Sequence, residues 1–294
     1  MNTVDDLVSE FAAALRDAGV HFGFGADNAF DEAQLLVLGT LGWDAACATD
    51  DQSNALKALL RRRIDERMPV PYLIGKTRFA NLDFAVAPGI MIPRSPIAEL
   101  IEDGFQPWLP HAPETILDLC TGSGCIGIAC AAAFDSARVT LTDVDDAALA
   151  IARQNAITHG VEGRTRFVKS SLFEALAHER FDLIVTNPPY VSTAELAGLP
   201  DEYRHEPRLG FDGGDDGLDL WREILAQAPA HLHDDGLLVG EIGNSATALM
   251  DAFPDLAFIW PHFERAQRLD GDHFGVFVLA GVLAGVLADG LTDV

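Results

Sequence analysis

The run Asn187-Pro188-Pro189-Tyr190 follows directly on the apolar stretch Phe181-Asp182-Leu183-Ile184-Val185-Thr186. An asparagine side-chain oxygen and a prolyl carbonyl are both acceptors. Together they can hold the two N–H groups of a planar –NH₂ and aim its lone pair at an electrophile. Such help matters because an amide nitrogen is a poor nucleophile, its lone pair being delocalised into the carbonyl. The prolines fix φ and keep the acceptors rigid, while Tyr190 offers a flat face to a planar amide or base. Asn-Pro and Pro-Pro also punctuate ordinary turns, so the run gains meaning only from what surrounds it.

A second group is Asp118-Leu119-Cys120-Thr121-Gly122-Ser123-Gly124-Cys125-Ile126-Gly127, which opens a helix through Ala129 and Ala133. Gly122 and Gly124 permit a tight turn and let backbone approach a ligand. The spacing satisfies the dinucleotide fingerprint, and Asp143 follows at the separation expected of an acid that accepts hydrogen bonds from ribose hydroxyls. That role serves NAD and S-adenosylmethionine equally, so a dehydrogenase stays open at this point. Asp145 or Asp146 can cap the following helix and leave Asp143 for a ligand. Asp118 tilts the choice toward a methyltransferase, because dehydrogenase strands usually enter this loop through apolar residues. Its other reading is a structural carboxylate that satisfies loop amides.

These groups need a frame that brings them together. Beyond Pro110, apolar strands alternate with helices: Thr115 to Leu119, Arg138 to Thr142, Thr165 to Lys169, Phe181 to Thr186, Gly236 to Ile242, Ala257 to Trp260 and Phe274 to Ala280. The pattern predicts a doubly wound, seven-stranded α/β sheet with helices on both faces. Ligands of such sheets sit beyond the carboxyl ends of the strands, so Asn187 falls beside the glycine loop although 69 residues separate it from Asp118.

The first ~90 residues read instead as helices closed by a hairpin. One stripe is Leu7, Phe11, Ala14 and Leu15, ending at Gly19. A second starts at Asp27 or Asn28 as N-cap and carries Phe30, Ala33, Leu36, Val37 and Leu41 before Gly42. A third runs from about Asp50 through Leu56, Leu59, Leu60 and Ile64 to Arg67, where Pro69 stops it. Thr77-Arg78-Phe79 and Asp83-Phe84-Ala85-Val86, separated by Asn81, signal a hairpin. The division that follows is a helical domain over 1–72, a hairpin linker over 73–92 and a sheet domain over 93–294.

The 294 residues, 49% hydrophobic and 22% charged, can bury a core in both a large and a small domain. The formal net charge is −25, with lysines only at Lys57, Lys76 and Lys169, which counts against duplex nucleic acid as a partner. Arg61-Arg62-Arg63 is read as a solvated helix face. The acidity fits solubility, salt adaptation or attraction of a basic partner. Cys47, Cys120, Cys125 and Cys130 lack the spacing of a zinc knuckle or redox dithiol, so no metal is expected; Cys125 and Cys130 read as small interior hydrophobes. The apolar tail Val276 to Ala288 is interrupted by glycine and falls short of the ~20 residues that span a membrane. With no signal-peptide pattern at the start, a soluble cytoplasmic protein is expected.

With these residues in hand, the chain resembles the HemK-type protein-glutamine methyltransferases over nearly its whole length. The resemblance includes 21–29 (His21 to Ala29), Arg67-Met68-Pro69-Val70-Pro71-Tyr72-Leu73 and Ile92-Pro93-Arg94-Ser95-Pro96-Ile97. Beyond the two groups above it continues through Glu202-Tyr203-Arg204-His205-Glu206-Pro207 and Gly214-Asp215-Asp216-Gly217-Leu218-Asp219. The release-factor branch of that family has Pro and an acid where this chain has Ser95-Pro96, which selects the branch acting on a large-subunit ribosomal protein.

The resemblance implies a Rossmann-like class I methyltransferase fold. It also implies transfer of methyl from S-adenosylmethionine, leaving S-adenosylhomocysteine, to a glutamine side-chain nitrogen of the basic ribosomal protein uL3. It assigns cofactor contacts to Asp118, to Cys120, Thr121, Gly122, Ser123 and Gly124, to Asp143, to Leu172 and to Asn187. Glutamine contacts fall to Asn187, Pro188, Pro189 and Tyr190. Cys120 stands in place of the loop's usual first glycine, which a small side chain tolerates if φ is negative there. Leu172 offers less stacking surface near an adenine than tryptophan would. The segment Arg265 to His273 is longer than the family pattern suggests. Two other functions share these motifs: adenine-N6 methylation of DNA or RNA, disfavoured by the missing basic track, and non-catalytic chaperoning of a basic ribosomal protein. The N-terminal helices are expected to help select the substrate protein.

Overall fold

The computed structural model describes residues 2–264 and 275–280. The segment Arg265 to His273, the expected strand start at Phe274 and the apolar tail beyond 280 lie outside the described residues. The chain divides into two compact units: Met1–Arg94 with Leu199–Pro207, and Ser95–Gly198 with Arg208–Val294.

In the first unit, strand β1 (Asn2–Thr3) pairs with β2 (Cys47–Ala48). Helix α1 (Val4–Asp17) starts where Thr3 Oγ1 accepts the Asp6 N–H, and it buries Leu7, Phe11 and Leu15. Helix α2 (Ala29–Leu41) is capped by Asn28, whose Oδ1 accepts from the amides of Phe30 and Asp31, and Gly42 ends it. It buries Ala33, Leu36 and Val37 as expected, but Phe30 is 52% exposed. Phe30 sits in the first turn, where no neighbouring element among the described residues covers it. Helix α3 (Asp50–Asp65) opens on a capping box of Thr49 and Gln52. After Pro69 the short α4 (Val70–Ile74) leads into the hairpin β3 (Lys76–Phe79) and β4 (Leu82–Ala85). Ala80 and Asn81 both have positive φ, the conformation that a two-residue hairpin turn requires.

Arg63 corrects one expectation. Arg61 and Arg62 are exposed, but Arg63 is fully buried because it continues the stripe Leu56, Leu60 at helical spacing. Its Nε donates to Glu32 Oε1 at 2.7 Å, Nη1 to Glu202 Oε1 at 3.1 Å and Nη2 to the His21 carbonyl at 2.6 Å. Glu202 Oε1 also accepts the His21 N–H at 2.9 Å, and four residues on, Glu206 takes both Nη groups of Arg94 and the Ile92 N–H. The segment Leu199–Pro207 is therefore held in this unit by two buried carboxylates, which explains the acids of the Glu202 to Pro207 motif.

The second unit contains α5 (Ile97–Glu102), β5 (Thr115–Leu119), α6 (Cys125–Ala133), β6 (Arg138–Asp143), α7 (Asp146–Thr158), β7 (Thr165–Lys169) and β8 (Phe181–Thr186). It continues with α8 (Thr193–Leu196), α9 (Asp219–His231), β9 (Leu232–Glu241), α10 (Ala246–Ala252) and β10 (Val276–Ala280). The sheet order is β10-β9-β8-β5-β6-β7, with β10 antiparallel to β9 and the other neighbours parallel. The winding reverses between β5 and β8, which is where such sheets bind ligands. Six strands are present among the described residues instead of seven. The run expected at Ala257 to Trp260 forms a single antiparallel bridge, Ile259 with Val278. Pro261, which has no N–H to donate, closes it. The core centres on Trp221 and Phe277, both fully buried, with ring centroids 4.8 Å apart.

Loss of Arg63 leaves two buried carboxylates without their shared cation, so Arg63→Leu is expected to destabilise the chain by about 3–5 kcal/mol. Arg62→Leu, on the exposed face, should stay within about 0.5 kcal/mol of wild type. Denaturant midpoints of the two variants test the contrast, and equal effects would contradict it.

Candidate active site

The first wall of the site is the turn that leaves β5. Asp118, 1% exposed, lies beneath it: Thr121 Oγ1 donates to its Oδ2, and the Gly127 N–H in the first turn of α6 donates to the same atom at 2.8 Å. The carboxylate thus ties the loop to the helix it feeds. Burial pushes its pKa up to about 7, against the Thr121 and Gly127 hydrogen bonds, and the charge of Asp143 adds to the rise. The loop is further fixed by Thr121 N–H to the Thr142 carbonyl and by Asn155 Nδ2 to the Ser123 carbonyl, both 2.9 Å. Asn155 was not singled out from sequence. Its signal is a polar residue at helical spacing among Ala148, Leu149 and Ala152, the buried stripe of α7.

Cys120 has φ +56°, not the negative value expected. The chain turns left-handed as soon as it leaves the strand, and a cysteine there costs roughly 1 kcal/mol relative to glycine. Leu172, at φ +44°, shares that conformation and is buried in the core that Cys120 also touches. Ser170 stabilises its turn by donating to the Leu172 carbonyl at 2.8 Å and accepting from Ala175 N–H. Backbone strain at two positions in one cradle is characteristic of a functional site. Burial pushes the thiol pKa of Cys125 up to about 12 and those of Cys120 and Cys130 well above the usual range. These sulfurs stay protonated and pack as hydrophobes.

At the end of β6, Asp143 Oδ2 accepts the Gly122 N–H and Oδ1 the Asp145 N–H, each at 2.9 Å. Asp145 caps α7 through the Ala147 N–H. Asp143 is thereby released from capping, and with about four lone-pair sites on a carboxylate it keeps capacity for two further donors. Its pKa is raised, chiefly by burial, while the Asp145 and Gly122 amides oppose the rise. The Ser170 N–H to Asp143 carbonyl bond, 3.0 Å, ties the Leu172 turn to the same strand end.

The Asn187 to Tyr190 run leaves β8 beside the glycine loop. Thr186, fully buried, donates Oγ1 to the Leu119 carbonyl at 2.9 Å and so staples the two strand ends. Asn187 is half-buried, and its amide has no hydrogen-bond partner among the described residues. Tyr190 is held from several sides. Its hydroxyl donates to Glu241 Oε1 at 2.8 Å and its carbonyl accepts from Ser245 Oγ at 3.0 Å. The next residue, Val191, is bonded to Phe211 and Gly213. A Cβ at Gly217 would lie 2.3 Å from the Tyr190 carbonyl oxygen, and one at Gly243 would lie 2.3 Å from the ring. Gly217 in the Gly214 to Asp219 motif therefore exists to let backbone close on the run. Glu241 and Ser245 were missed from sequence because they lie 51 and 55 residues from Tyr190.

The loop at Cys120, Thr121, Gly122, Ser123 and Gly124, together with Asp143, Leu172 and the run Asn187, Pro188, Pro189, Tyr190, thus gathers at the carboxyl ends of β5, β6, β7 and β8. An open amide, a carboxylate with spare acceptor capacity and a strained apolar wall fit a nucleoside bearing ribose hydroxyls and a charged tail. The chain matches the methyltransferase small domain over residues 105–198. It is 40% identical to the ribosomal protein uL3 glutamine methyltransferase of Francisella tularensis, covering 90% of this chain and 87% of that protein. It is 44% identical to the protein of the same name from Xanthomonas campestris, covering 91% and 89%. Among solved structures it resembles the hMettl16 catalytic domain in complex with the MAT2A 3′UTR hairpin 6. That match has a TM-score of 0.51 and 15% identity, over 80% of this chain and 83% of that one, a likeness of fold. The Rossmann-like class I methyltransferase fold follows.

Because the folded-state pKa of Asp118 lies above its unfolded value, the protonated carboxyl is what folding favours; the stability it contributes is present at low pH and is lost as pH rises toward about 7. Asp118→Asn has no such loss. Between about pH 4.5 and 7.5 the variant should gain on wild type by on the order of 3 kcal/mol, measured by denaturant unfolding. A difference that stays constant across that range would contradict this.

Proposed function

The chain belongs to the family of ribosomal protein uL3 glutamine methyltransferases, and from that premise we propose how its own residues carry out methylation of a uL3 glutamine. The reaction is S-adenosylmethionine-dependent methylation of the side-chain amide nitrogen. Bound to the enzyme, S-adenosylmethionine supplies a methyl group activated by its sulfonium. In our reading Asp143 receives the ribose hydroxyls on its two spare lone-pair sites, and Cys120 to Gly124 present backbone to the charged tail at the start of α6. Asp118 acts from beneath by holding that loop, and Leu172 gives an apolar surface to the adenine.

The observation that carries the assignment of the acceptor site is the open Asn187 amide, stapled through Thr186 to the end of β5. Asn187 Oδ1 and the Pro188 carbonyl each accept one N–H of the glutamine –NH₂. This holds the nitrogen and aims its developing lone pair at the methyl group. As the N–CH₃ bond forms the S–CH₃ bond breaks, leaving S-adenosylhomocysteine, and the nitrogen's surplus proton passes to solvent. Pro188 and Pro189 keep the two acceptors from relaxing away, and Tyr190 supports the amide plane. We expect Asn187→Ala to lower methyl incorporation into purified uL3 by about a hundredfold or more, with folding intact by thermal melt. Mass spectrometry of the uL3 product reads this out. Binding of uL3 by the wild-type chain with no methyl incorporation would favour the chaperone reading instead.

The helical domain over 1–72, with the hairpin over 73–92, is proposed to select the substrate protein, leaving chemistry to 93–294. The net charge of −25 supports a basic partner. On addition of uL3, amide-exchange protection should therefore appear within residues 2–72 as well as around Tyr190. Protection confined to the sheet unit would overturn this role. None of the described helices is long and apolar enough to cross a membrane. A cytoplasmic setting, supported by four free thiols, can be checked by cell fractionation.

A further inference from the structure

Strand β9 runs parallel to β8 with Gly240 opposite Thr186, so the residues that follow this pair are Glu241 and Asn187. On its other side the Glu241 backbone is paired with Val276 of β10, which fixes the residue between two strands. Glu241 is 6% exposed, and its Oε1 accepts a 2.8 Å hydrogen bond from the Tyr190 hydroxyl. Keeping a carboxylate so far from water is costly unless it is hydrogen-bonded, and an apolar residue of similar size would fill the space equally well. The bond therefore calls for a use.

The physics of the tyrosine side chain supplies one. The torsion that sets the tilt of an aromatic ring is broad and roughly two-fold, unlike the sharp wells of saturated torsions. A ring that must support a planar amide needs an outside constraint on that tilt. Here the backbone of Tyr190 is clamped by Ser245 and by the close approach of Gly217, and Gly243 lies against the ring edge. Gly243 bounds the ring near its hydroxyl-bearing carbon, and the hydroxyl adds a directional bond at the tip. A charge-assisted O–H···O bond is about twice as strong as a neutral one, and Glu241 provides it from a rigid strand.

We infer that Glu241 is a positioning residue for methyl transfer: by holding the Tyr190 hydroxyl, it sets the plane in which the acceptor amide meets the donor. The inference rests on the acceptor-site reading above. Its effect belongs to the chemical step, since neither residue lies in the glycine loop or at Asp143. A role in packing alone would lower the melting temperature and leave turnover of the folded enzyme unchanged.

The test uses the full chain with S-adenosylmethionine and purified uL3, comparing wild type, Tyr190→Phe, Glu241→Ala, Glu241→Gln and the double variants. Tyr190→Phe and Glu241→Ala should each reduce kcat by about ten- to a hundredfold, with the Kd for S-adenosylmethionine unchanged. Glu241→Gln, which keeps an acceptor at the same reach, should lose less. The double variant should be no slower than the slower single, since both break one interaction. Wild-type kcat in Tyr190→Phe, or a double variant slowed by the product of the single effects, would overturn the inference. If Glu241→Ala does not fold, Glu241→Leu, which fills the space and removes the acceptor, takes its place in the cycle. Asn187→Ala in the same assay separates the two levels, because wild-type activity there would remove the acceptor site itself whatever the cycle gave.

Discussion

Strands β5 and β8 leave the sheet as parallel neighbours, and the Thr186 hydroxyl bonds the Leu119 carbonyl at their common end. From this junction the chain turns in two directions, into the glycine loop and into the Asn187 to Tyr190 run. A parallel sheet whose winding reverses between these strands opens a crevice there, since the connecting helices depart to opposite faces. Asp143 arrives from β6 in register with Lys169 of β7, and the Leu172 turn follows one strand further on. Loop, acid, apolar wall and acceptor run are brought together by sheet topology, although more than sixty residues separate the first from the last.

Around that junction, buried polar groups do the fastening. Asp118 joins the loop to α6, Asn155 holds the Ser123 carbonyl, Ser170 closes the Leu172 turn and Glu241 receives Tyr190. In the helical unit, Arg63 joins Glu32 to Glu202, and Arg94 binds Glu206. Burying such groups costs free energy that their hydrogen bonds offset in part, since Asp118 Oδ1 has no hydrogen-bond partner among the described residues. The bonds that are made resist rearrangement because breaking one leaves a polar group in a dry interior. The same economy explains the left-handed Cys120 and Leu172: local strain persists because the surrounding bonds over-determine the backbone.

Much of this was legible in the residues. Short apolar runs located β5 to β8 to within a residue, and Asn28 marked the start of α2, because these signals depend on neighbours in sequence. Elsewhere local signals misled. Phe30 fits the apolar spacing of α2 yet faces water, and Arg63 sits in a basic triplet yet is wholly buried. Both follow from which side of a helix meets a neighbour. The Ala257 to Trp260 run looks like a strand, but pairing supplied only the bridge at Ile259.

The sequence by itself determined the chemistry on offer: acceptors and rigid prolines at Asn187 to Pro189, a carboxylate free of helix capping at Asp143, and a loop with room for backbone contact. Residue types and short spacings carry that information, because hydrogen-bonding capacity and allowed φ are properties of single residues. Only the tertiary structure decided which groups brace them. Glu241 and Ser245 at Tyr190, Asn155 at Ser123 and Glu202 at Arg63 are long-range pairings. Each exists because strand register and helix packing bring distant side chains within hydrogen-bonding distance, and no local pattern in the chain encodes that proximity.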